Sequence, residues 1–203
     1  MNRAMPSILP MLCAAVAVAS VVTSCAMSPD KYMADFDRHR SKFSTAIERN
    51  GMKATITYLP SEYVAARDML SKPGLHADSA MKPYANSLFM ALGIASKEPS
   101  NGSALLLRNG AAGWRENVLS NTFGLDEGIF LLNGRDTVKA SGYNYERNWG
   151  LTGEDVFVLT FSRSSLKSNV GNYHLVMRGV CPELGTLDAK LSTIVKNTRK
   201  LRG

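Results

Sequence analysis

The segment SLFMALGIA, residues 87–95, is apolar at even and at odd positions. Consecutive residues of a strand face opposite sides of its sheet, so a strand of this composition must be covered on both sides. The segments at 105–107, 129–132 and 156–161 have the same two-sided apolar character. The sequence therefore predicts a sheet with a further layer over its second face.

The turn at Asn133-Gly134 is the strongest hairpin signal in the chain. It lies between the strand at 129–132 and a partner strand that is predicted to begin at Arg135. A two-residue type I′ turn needs positive φ at both central residues, which Asn and Gly tolerate best. This pattern predicts antiparallel pairing and a turn that depends on Gly134.

Other turn residues extend the antiparallel pattern. Residues 99–102, Pro-Ser-Asn-Gly, are predicted to turn a strand over 87–97 back into a strand over 103–108. Alternating and apolar segments predict additional strands at 53–59 and 172–180.

Helical spacing of apolar residues predicts helices between the strands. The predicted helices cover residues 26–50 with an end at Asn50-Gly51, a shorter segment from Ser61 to Pro73-Gly74, residues 114–123, and the chain from Thr186 onward. Residues 75–86 are predicted to form a loop. Strands in runs, with a few helices between them, predict an α+β fold in which helices pack on one antiparallel sheet. A β-sandwich decorated with helices is the alternative.

Cys25 ends a short apolar segment at the N-terminus. Arg3 is the only charged residue among the first 24, and the chain is almost wholly apolar from Ile8 to Val22. The run is too short to span a membrane comfortably, and small residues stand directly before the cysteine, as at a secretory cleavage site. Over these 25 residues the sequence resembles the precursors of bacterial lipoproteins.

The resemblance implies the address of the protein. In such precursors the cysteine is acylated and becomes the new N-terminus, which implies removal of residues 1–24, one domain over 25–203, and membrane attachment through lipid, palmitate included, on Cys25. Ala26 stands where many lipoproteins of the inner membrane carry Asp, so the resemblance implies the outer membrane in a cell that has two. The helix predicted from residue 26 leaves a very short tether.

Composition restricts the partners. Removal of residues 1–24 would leave 179 of the 203 residues and, with the loss of Arg3, would lower the formal charge from +7 to +6. A moderate positive charge favours anionic headgroups, acidic polymers or nucleic acid, and export to the envelope argues against nucleic acid. Lys196, Arg199 and Lys200 would form a basic face on the last helix, which is either solvated or turned toward such anions.

Cysteine usage predicts a domain without disulfides. Cys13 would leave with the signal segment and the sulfur of Cys25 would carry lipid, so Cys181 alone would keep a thiol. A free cysteine that follows an apolar strand is typically a small buried hydrophobe, and we expect Cys181 to be buried and unreactive.

Catalytic motifs are absent from the sequence. It contains no His-Glu-x-x-His, no Cys-x-x-Cys, no phosphate-binding glycine loop and no Gly-x-Ser-x-Gly. The three histidines, His39, His76 and His174, show no spacing typical of metal ligands. We therefore expect no metal, no cofactor and no enzymatic activity, with a hydrolase built from scattered residues as the least favoured alternative.

The segment 143–149 has the composition of a binding site. Tyr143, Tyr145, Arg147 and Trp149 share one face of a predicted strand, where aromatic rings and a guanidinium can stack on a sugar or hold a peptide. Aromatic residues on a strand face also pack into cores, and this second interpretation is favoured for Tyr143 and Tyr145.

Two functions remain after these observations. The leading hypothesis is a lipid-anchored envelope protein with a structural or protein-interaction role, whose partner is an envelope protein or a cell-wall polymer. The alternative is a lipoprotein that binds a glycan or peptide through residues 143–149.

Overall fold

The computed structural model describes residues 27–98, 103, 105, 110–125, 128–133, 136–146, 153–165 and 173–190. The helices in this part of the chain are α1 (Pro29–Arg38), α2 (Ser61–Ser71), α3 (Ala77–Met81) and α4 (Gly110–Phe123), with 3₁₀ turns at Arg40–Phe43, Lys82–Tyr84 and Arg163–Ser165. The strands are β1 (Ser44–Arg49), β2 (Met52–Leu59), β3 (Ser87–Ser96), β4 (Ile129–Asn133), β5 (Asp136–Lys139), β6 (Gly142–Glu146), β7 (Glu154–Ser162), β8 (Tyr173–Met177) and β9 (Leu187–Lys190).

The strands form two antiparallel sheets. The larger sheet has the order β1-β2-β3-β7-β6, and the smaller has the order β5-β4-β8-β9. The strand β3, which contains the apolar segment 87–95, lies at the centre of the larger sheet. Its neighbours are β2 on one side and β7 on the other.

Both faces of β3 are buried, as the sequence predicts. Leu88, Met90, Leu92 and Ile94 lie in one hydrophobic core together with residues of the smaller sheet, among them Ile129, Leu131, Leu175 and Met177. On the opposite face, Phe89 and Ala91 pack with Phe36 of α1 and Val64 of α2. The molecule therefore has three layers, with helices on one side of the larger sheet and the smaller sheet on the other.

The chain crosses between the sheets over residues 140–141. The Ala140 amide donates to the Ile129 carbonyl at 3.0 Å in the smaller sheet, and the next amide, of Ser141, donates to the Thr160 carbonyl at 2.8 Å in the larger one. Strands that change sheets in this way make the corners of a sandwich. The predicted α+β fold is confirmed, and the alternative, a helix-decorated sandwich, describes the side of the larger sheet that faces β4, β5, β8 and β9.

The prediction of one helix over 26–50 is wrong beyond Arg38. A 3₁₀ turn follows α1, and Ser44–Arg49 forms β1, which pairs with β2 from Ser44↔Thr57 to Arg49↔Met52. Asn50 and Gly51 have φ angles of +47° and +76°. They therefore form a tight hairpin turn of the kind that Asn-Gly favours, and they do not end a helix.

The predicted hairpin between 87–97 and 103–108 is also wrong. Both hydrogen-bonding edges of β3 are taken by β2 and β7, so no edge is left for residues 103–108. The loop predicted over 75–86 contains the short helix α3 and a 3₁₀ turn.

The predicted hairpin is confirmed as a pairing of β4 with β5, but β4 includes Asn133, and β5 begins at Asp136 where the prediction has Arg135. Asn133 pairs with Asp136 and so belongs to the strand, whereas Gly134 and Arg135 lie outside the described residues. The helix predicted from Thr186 begins as a strand, since Leu187–Lys190 form β9, and residues 191–203 lie outside the described part. The predicted strands at 53–59, 156–161 and 172–180 and the helices from Ser61 and over 114–123 correspond to β2, β7, β8, α2 and α4.

Candidate functional site

Each end of the sandwich has a cluster of buried polar side chains, one around a carboxyl group and the other around a tyrosine and an arginine. At one end β7 begins, and the first inward-facing residue is Asp155, which pairs with Ile94 and is fully buried, with 0% of its surface exposed. At the other end β2 finishes, β3 begins and β8 begins. Here Tyr58, at 2% exposure, faces the same interior core.

The carboxyl group of Asp155 accepts hydrogen bonds from two other segments of the chain. Its Oδ1 accepts hydrogen bonds from Ser103 Oγ at 2.5 Å and from the Tyr145 hydroxyl at 2.7 Å. Its Oδ2 accepts a hydrogen bond from the Leu105 amide at 3.0 Å. The side chain of Asn121 on α4 is buried and is hydrogen-bonded to the Tyr145 hydroxyl.

This group, Asp155, Tyr145, Ser103, Asn121 and the Leu105 amide, is called the Asp155 cluster. Burial, together with the hydrogen bond that Tyr145 donates to Asp155, raises the pKa of Tyr145 well above its ordinary value. Both oxygens of the Asp155 carboxyl group accept hydrogen bonds. The cluster therefore holds Ser103 and Leu105 against the start of β7.

At the opposite end, Arg163 follows β7 and reaches back over the sheet. Its Nε donates to the Ser87 carbonyl at 3.0 Å, and its Nη2 donates to the Tyr58 hydroxyl oxygen at 3.1 Å. The pKa of Tyr58 is raised by burial, and the positive charge of Arg163 opposes that rise. Glu62 and Tyr173 add to the rise in the pKa of Tyr58.

Tyr32 on α1 is a further buried tyrosine whose pKa is raised. It is 5% exposed, and its pKa is raised by burial and then by Glu62, Tyr58 and Asp35. The residues Tyr32, Tyr58, Tyr173, Arg163 and Glu62 are called the tyrosine cluster. They come from α1, α2, β2, β8 and the turn after β7.

The predicted ligand residues Tyr143 and Tyr145 lie on β6, an edge strand of the larger sheet. Tyr145 is 5% exposed and its ring stacks on Phe157 with 4.9 Å between centroids. The Tyr143 hydroxyl, half-buried, accepts a hydrogen bond from the Leu125 amide at 3.1 Å. Both tyrosines are therefore directed into the protein, which favours the packing interpretation at these two positions.

Three of the predicted site residues lie outside the described residues. They are Arg147 and Trp149 of the proposed ligand site and Cys25, the proposed lipidation site.

Cys181 lies in a turn before β9 and is buried as predicted, at 1% exposure. Its Sγ donates to Glu183 Oε2 at 3.0 Å. Burial, and then the hydrogen bond to Glu183, raises the pKa of the thiol to about 11. A thiol of this kind is a poor nucleophile at neutral pH, because the thiolate is the reactive form.

Two of the three histidines have a hydrogen-bonding partner in the described residues. His174 on β8 has Nδ1 3.0 Å from Asp188 Oδ1, and His39 has Nδ1 2.9 Å from the Asp35 carbonyl. Within the described ranges, no group of three or more His, Cys, Asp or Glu side chains is placed to hold a metal ion. The helices of these same ranges include none with the length and hydropathy of a membrane span.

An apolar pair is exposed on α4. Leu119 and Phe123 lie one helical turn apart and are 50% and 70% exposed. Large apolar side chains that remain in water next to each other are a common property of surfaces that contact other molecules.

Sequence reasoning missed the tyrosine cluster. In the sequence Tyr32 has the helical spacing of an apolar face, Tyr58 alternates with threonines as in a strand, and no motif includes Arg163. One signal was available: Tyr58, Tyr173 and Arg163 each stand at or just beyond the end of a strand, and in antiparallel sheets such ends meet. The sequence does not predict the strand order that places Tyr58, Tyr173 and Arg163 at the same end of the molecule.

Comparisons with known proteins add little. No protein-family model matches the sequence, and no curated protein matches it. Among solved structures, a protein of unknown function from Burkholderia pseudomallei shares 14% sequence identity, with a TM-score of 0.35 over 84% of this chain and 92% of that chain. A similarity at this level carries no conclusion about function.

Proposed function

We propose that this chain is a lipid-anchored protein of the bacterial cell envelope with a non-enzymatic, structural or protein-interaction role. The observation that carries the proposal is the segment that ends at Cys25, with its single charge at Arg3 and its short apolar run. Residues 1–24 would be removed, residues 25–203 would form the domain, and Ala26 favours the outer membrane.

The position of α1 supports a domain held against the bilayer. The helix begins at Pro29, and its residues Tyr32 and Phe36 are buried in the body of the protein. Four residues from Cys25 to Pro29 span at most about 14 Å. A lipid on Cys25 would therefore leave the folded domain little freedom to leave the membrane surface.

The interior chemistry supports a non-enzymatic role. The buried carboxyl group of Asp155 is engaged by its three donors, so it has no free oxygen with which to act on a substrate. The exposed pair Leu119 and Phe123 gives a surface that suits contact with another molecule. Tyr143 and Tyr145 point inward, so glycan or peptide binding by 143–149 would have to rest on Arg147 and Trp149.

The test of the proposal is the Cys25→Ala variant of the full chain. It should lose its acyl chains by mass spectrometry and move from the membrane fraction to the soluble fraction. Cys13→Ala is the matched control, because it removes a cysteine from the same segment and should leave lipidation and location unchanged. Tight membrane association of Cys25→Ala with an unprocessed N-terminus would contradict the proposal.

A second measurement separates the two roles that the sequence leaves open. Trp149→Ala should leave the capture of cell-wall glycan or peptide unchanged if the role is structural. Loss of such binding, with an unchanged melting temperature, would instead support the glycan- or peptide-binding alternative.

A further inference from the structure

The outer side of the smaller sheet carries a third group of apolar side chains. Ile129 and Leu131 of β4 face inward to the main core, so Phe130 and Leu132, which alternate with them, face outward. Val176 on β8 stands opposite Phe130 and points to the same side. Phe130, Leu132 and Val176, called the outer apolar face, are half-buried, and neither hydrophobic core of the described residues includes them.

Polar side chains border the outer apolar face on both sides. On the β5 side the neighbours are Thr137 and Lys139, and on the β9 side they are Asp188 and Lys190, all of them exposed. Apolar residues that stand singly at a surface are common, but three neighbours within a polar border are typical of a surface that another segment covers.

The chain has a segment of suitable length directly after this sheet. The strand β9 lies at the edge of the smaller sheet and ends at Lys190, and thirteen residues, 191–203, follow it outside the described part. As a helix these residues would extend over about 20 Å. Three strand spacings, from β9 to β5, amount to about 14 Å. The segment is therefore long enough to cross the whole sheet from the point where it begins.

The sequence of this segment has one apolar side. Four apolar residues recur at helical spacing, namely Leu191, Ile194, Val195 and Leu201. Lys196 and Lys200 lie on the opposite side of the same helical pattern. A helix of this kind is stable when its apolar side is covered by another apolar surface.

We propose that the outer apolar face binds the C-terminal segment 191–203 of the same chain as a helix. Removal of apolar surface from water on both partners favours the contact. The direct connection through β9 makes the contact intramolecular, which raises the effective concentration of the segment. Lys196 and Lys200 then point away from the sheet and form a fixed basic surface of the domain. This proposal does not depend on the lipid anchor.

The first experiment is a double-mutant cycle in the full chain. Phe130→Ala and Ile194→Ala should each lower the melting temperature by about 3–6 °C, because each removes apolar contacts. If the two side chains share an interface, the double variant should lose about 2 °C or more less than the sum of the single losses. Val176→Ala, a smaller truncation of the same face, takes the place of Phe130→Ala if that variant does not fold.

The matched control is Phe123→Ala, because Phe123 is 70% exposed on α4 and offers the segment a competing apolar surface. Its effect should add to that of Ile194→Ala without coupling. Coupling of Ile194 with Phe123, and none with Phe130, would place the segment on α4 and overturn the proposal.

The second experiment is limited digestion with trypsin well below the melting temperature. Cleavage after Lys196 needs local opening of the docked helix, so it should be slow in the parent chain and in Phe123→Ala. It should be about tenfold faster in Phe130→Ala, whose docking surface is smaller. Cleavage after Arg67, which is exposed on α2, is the internal reference and should not change. Mass spectrometry of the fragments separates the two sites.

Two further results would overturn the proposal. Additive losses for Phe130 and Ile194, with rapid cleavage after Lys196 in the parent chain, would show that the segment does not dock on the sheet. A melting temperature that rises with protein concentration in the parent chain and not in Phe130→Ala would assign the outer apolar face to a second copy of the chain. The Cys25→Ala chain should show the same coupling as the parent, so failure of the anchor and failure of the docking are separate results.

Discussion

The Asp155 cluster and the tyrosine cluster are built from similar side chains but differ in how completely their polar groups are paired. At Asp155 one carboxyl group accepts from Ser103, Tyr145 and the Leu105 amide, and each of these donors has a strong acceptor. At the other end the Tyr58 hydroxyl oxygen accepts from Arg163, and within the described residues neither Tyr32 nor Tyr173 makes a hydrogen bond through its hydroxyl. The difference indicates that hydrogen bonds stabilise the fold at the first cluster, whereas apolar packing of the tyrosine rings contributes more at the second.

The Asp155 end is also closed by bonds between the two sheets. Asn50 Nδ2 donates to the Glu183 carbonyl at 2.9 Å, and Arg49 Nη1 donates to the Leu184 carbonyl at 3.3 Å. These bonds join the β1–β2 turn to the segment before β9. We therefore expect the larger losses of stability to follow substitutions at this end.

The largest effect is expected from Asp155→Ala. Its three donors would stay buried without an acceptor, and bonds to a carboxylate are among the stronger ones in proteins. The free energy of unfolding should fall by about 3–5 kcal/mol. Urea unfolding followed by circular dichroism measures this change.

The matched control for Asp155 is Asp188→Ala. The Asp188 side chain is 61% exposed, and its pairing with His174 lies at the surface. The expected loss is below about 0.5 kcal/mol. Equal losses in the two variants would remove the structural role assigned to the Asp155 cluster.

The next effect is a dependence of stability on alkaline pH through Cys181. Its pKa is raised from 9.0 to about 11 in the folded protein. The folded state therefore favours the neutral thiol, and this contribution is complete below pH 9 and is lost as the pH rises toward 11. A shift of this size corresponds to an order of 2–3 kcal/mol.

Cys181→Ala gives the reference for that measurement. Between pH 9 and pH 11 the parent chain should lose more stability than the variant, since tyrosines titrate in both. Parallel curves for the two chains, or rapid labelling of the native protein by a thiol reagent at pH 7.5, would contradict a buried neutral thiol.

A smaller effect is expected at the β1–β2 turn. Gly51 has a φ of +76°, and no atom lies within 4 Å of where a Cβ would be. Gly51→Val should therefore cost about 2 kcal/mol from backbone strain alone. Gly142→Val, also in open space but on a strand, should be nearly neutral, and an equal loss there would mean that strain at the turn is not the cause.

Much of the fold follows from local pattern. The two-sided apolar run in β3 predicted layers on both faces, and the layers are present because residues 88–94 alternate between two cores. The identity of the second layer did not follow, since a sheet and a set of helices can cover the same apolar face. The apolar pattern therefore predicts the α+β fold class, but it does not predict that the second layer is a sheet.

The two Asn-Gly pairs show where local reasoning fails. The pair at 133–134 predicts a hairpin, and its strands do pair. The same dipeptide at 50–51 is predicted to end a helix, because Tyr32, Phe36, Phe43 and Ile47 fit helical spacing. Residues 44–49 also fit a strand, and pairing with β2 decides between the two.

The polar clusters depend on contacts that are distant in sequence. Ser103 and Asp155 are 52 residues apart, and Tyr58 and Arg163 are 105 residues apart. The aromatic neighbours of Tyr145 mark it in the sequence, whereas nothing local indicates its pairing with Asp155, which follows Glu154 directly. The order of the strands in the two sheets brings these groups together. Local patterns in a single sequence do not predict that order.

The most direct test of the difference between the two clusters is the free energy of unfolding of two variants, Tyr145→Phe and Tyr173→Phe. Each removes one buried hydroxyl and keeps the ring. Tyr145→Phe should lose about 1.5 kcal/mol, because it breaks the 2.7 Å bond to Asp155. Tyr173→Phe should be as stable as the parent chain or more stable. Equal losses in the two variants would show that both clusters are internally satisfied and would contradict the account.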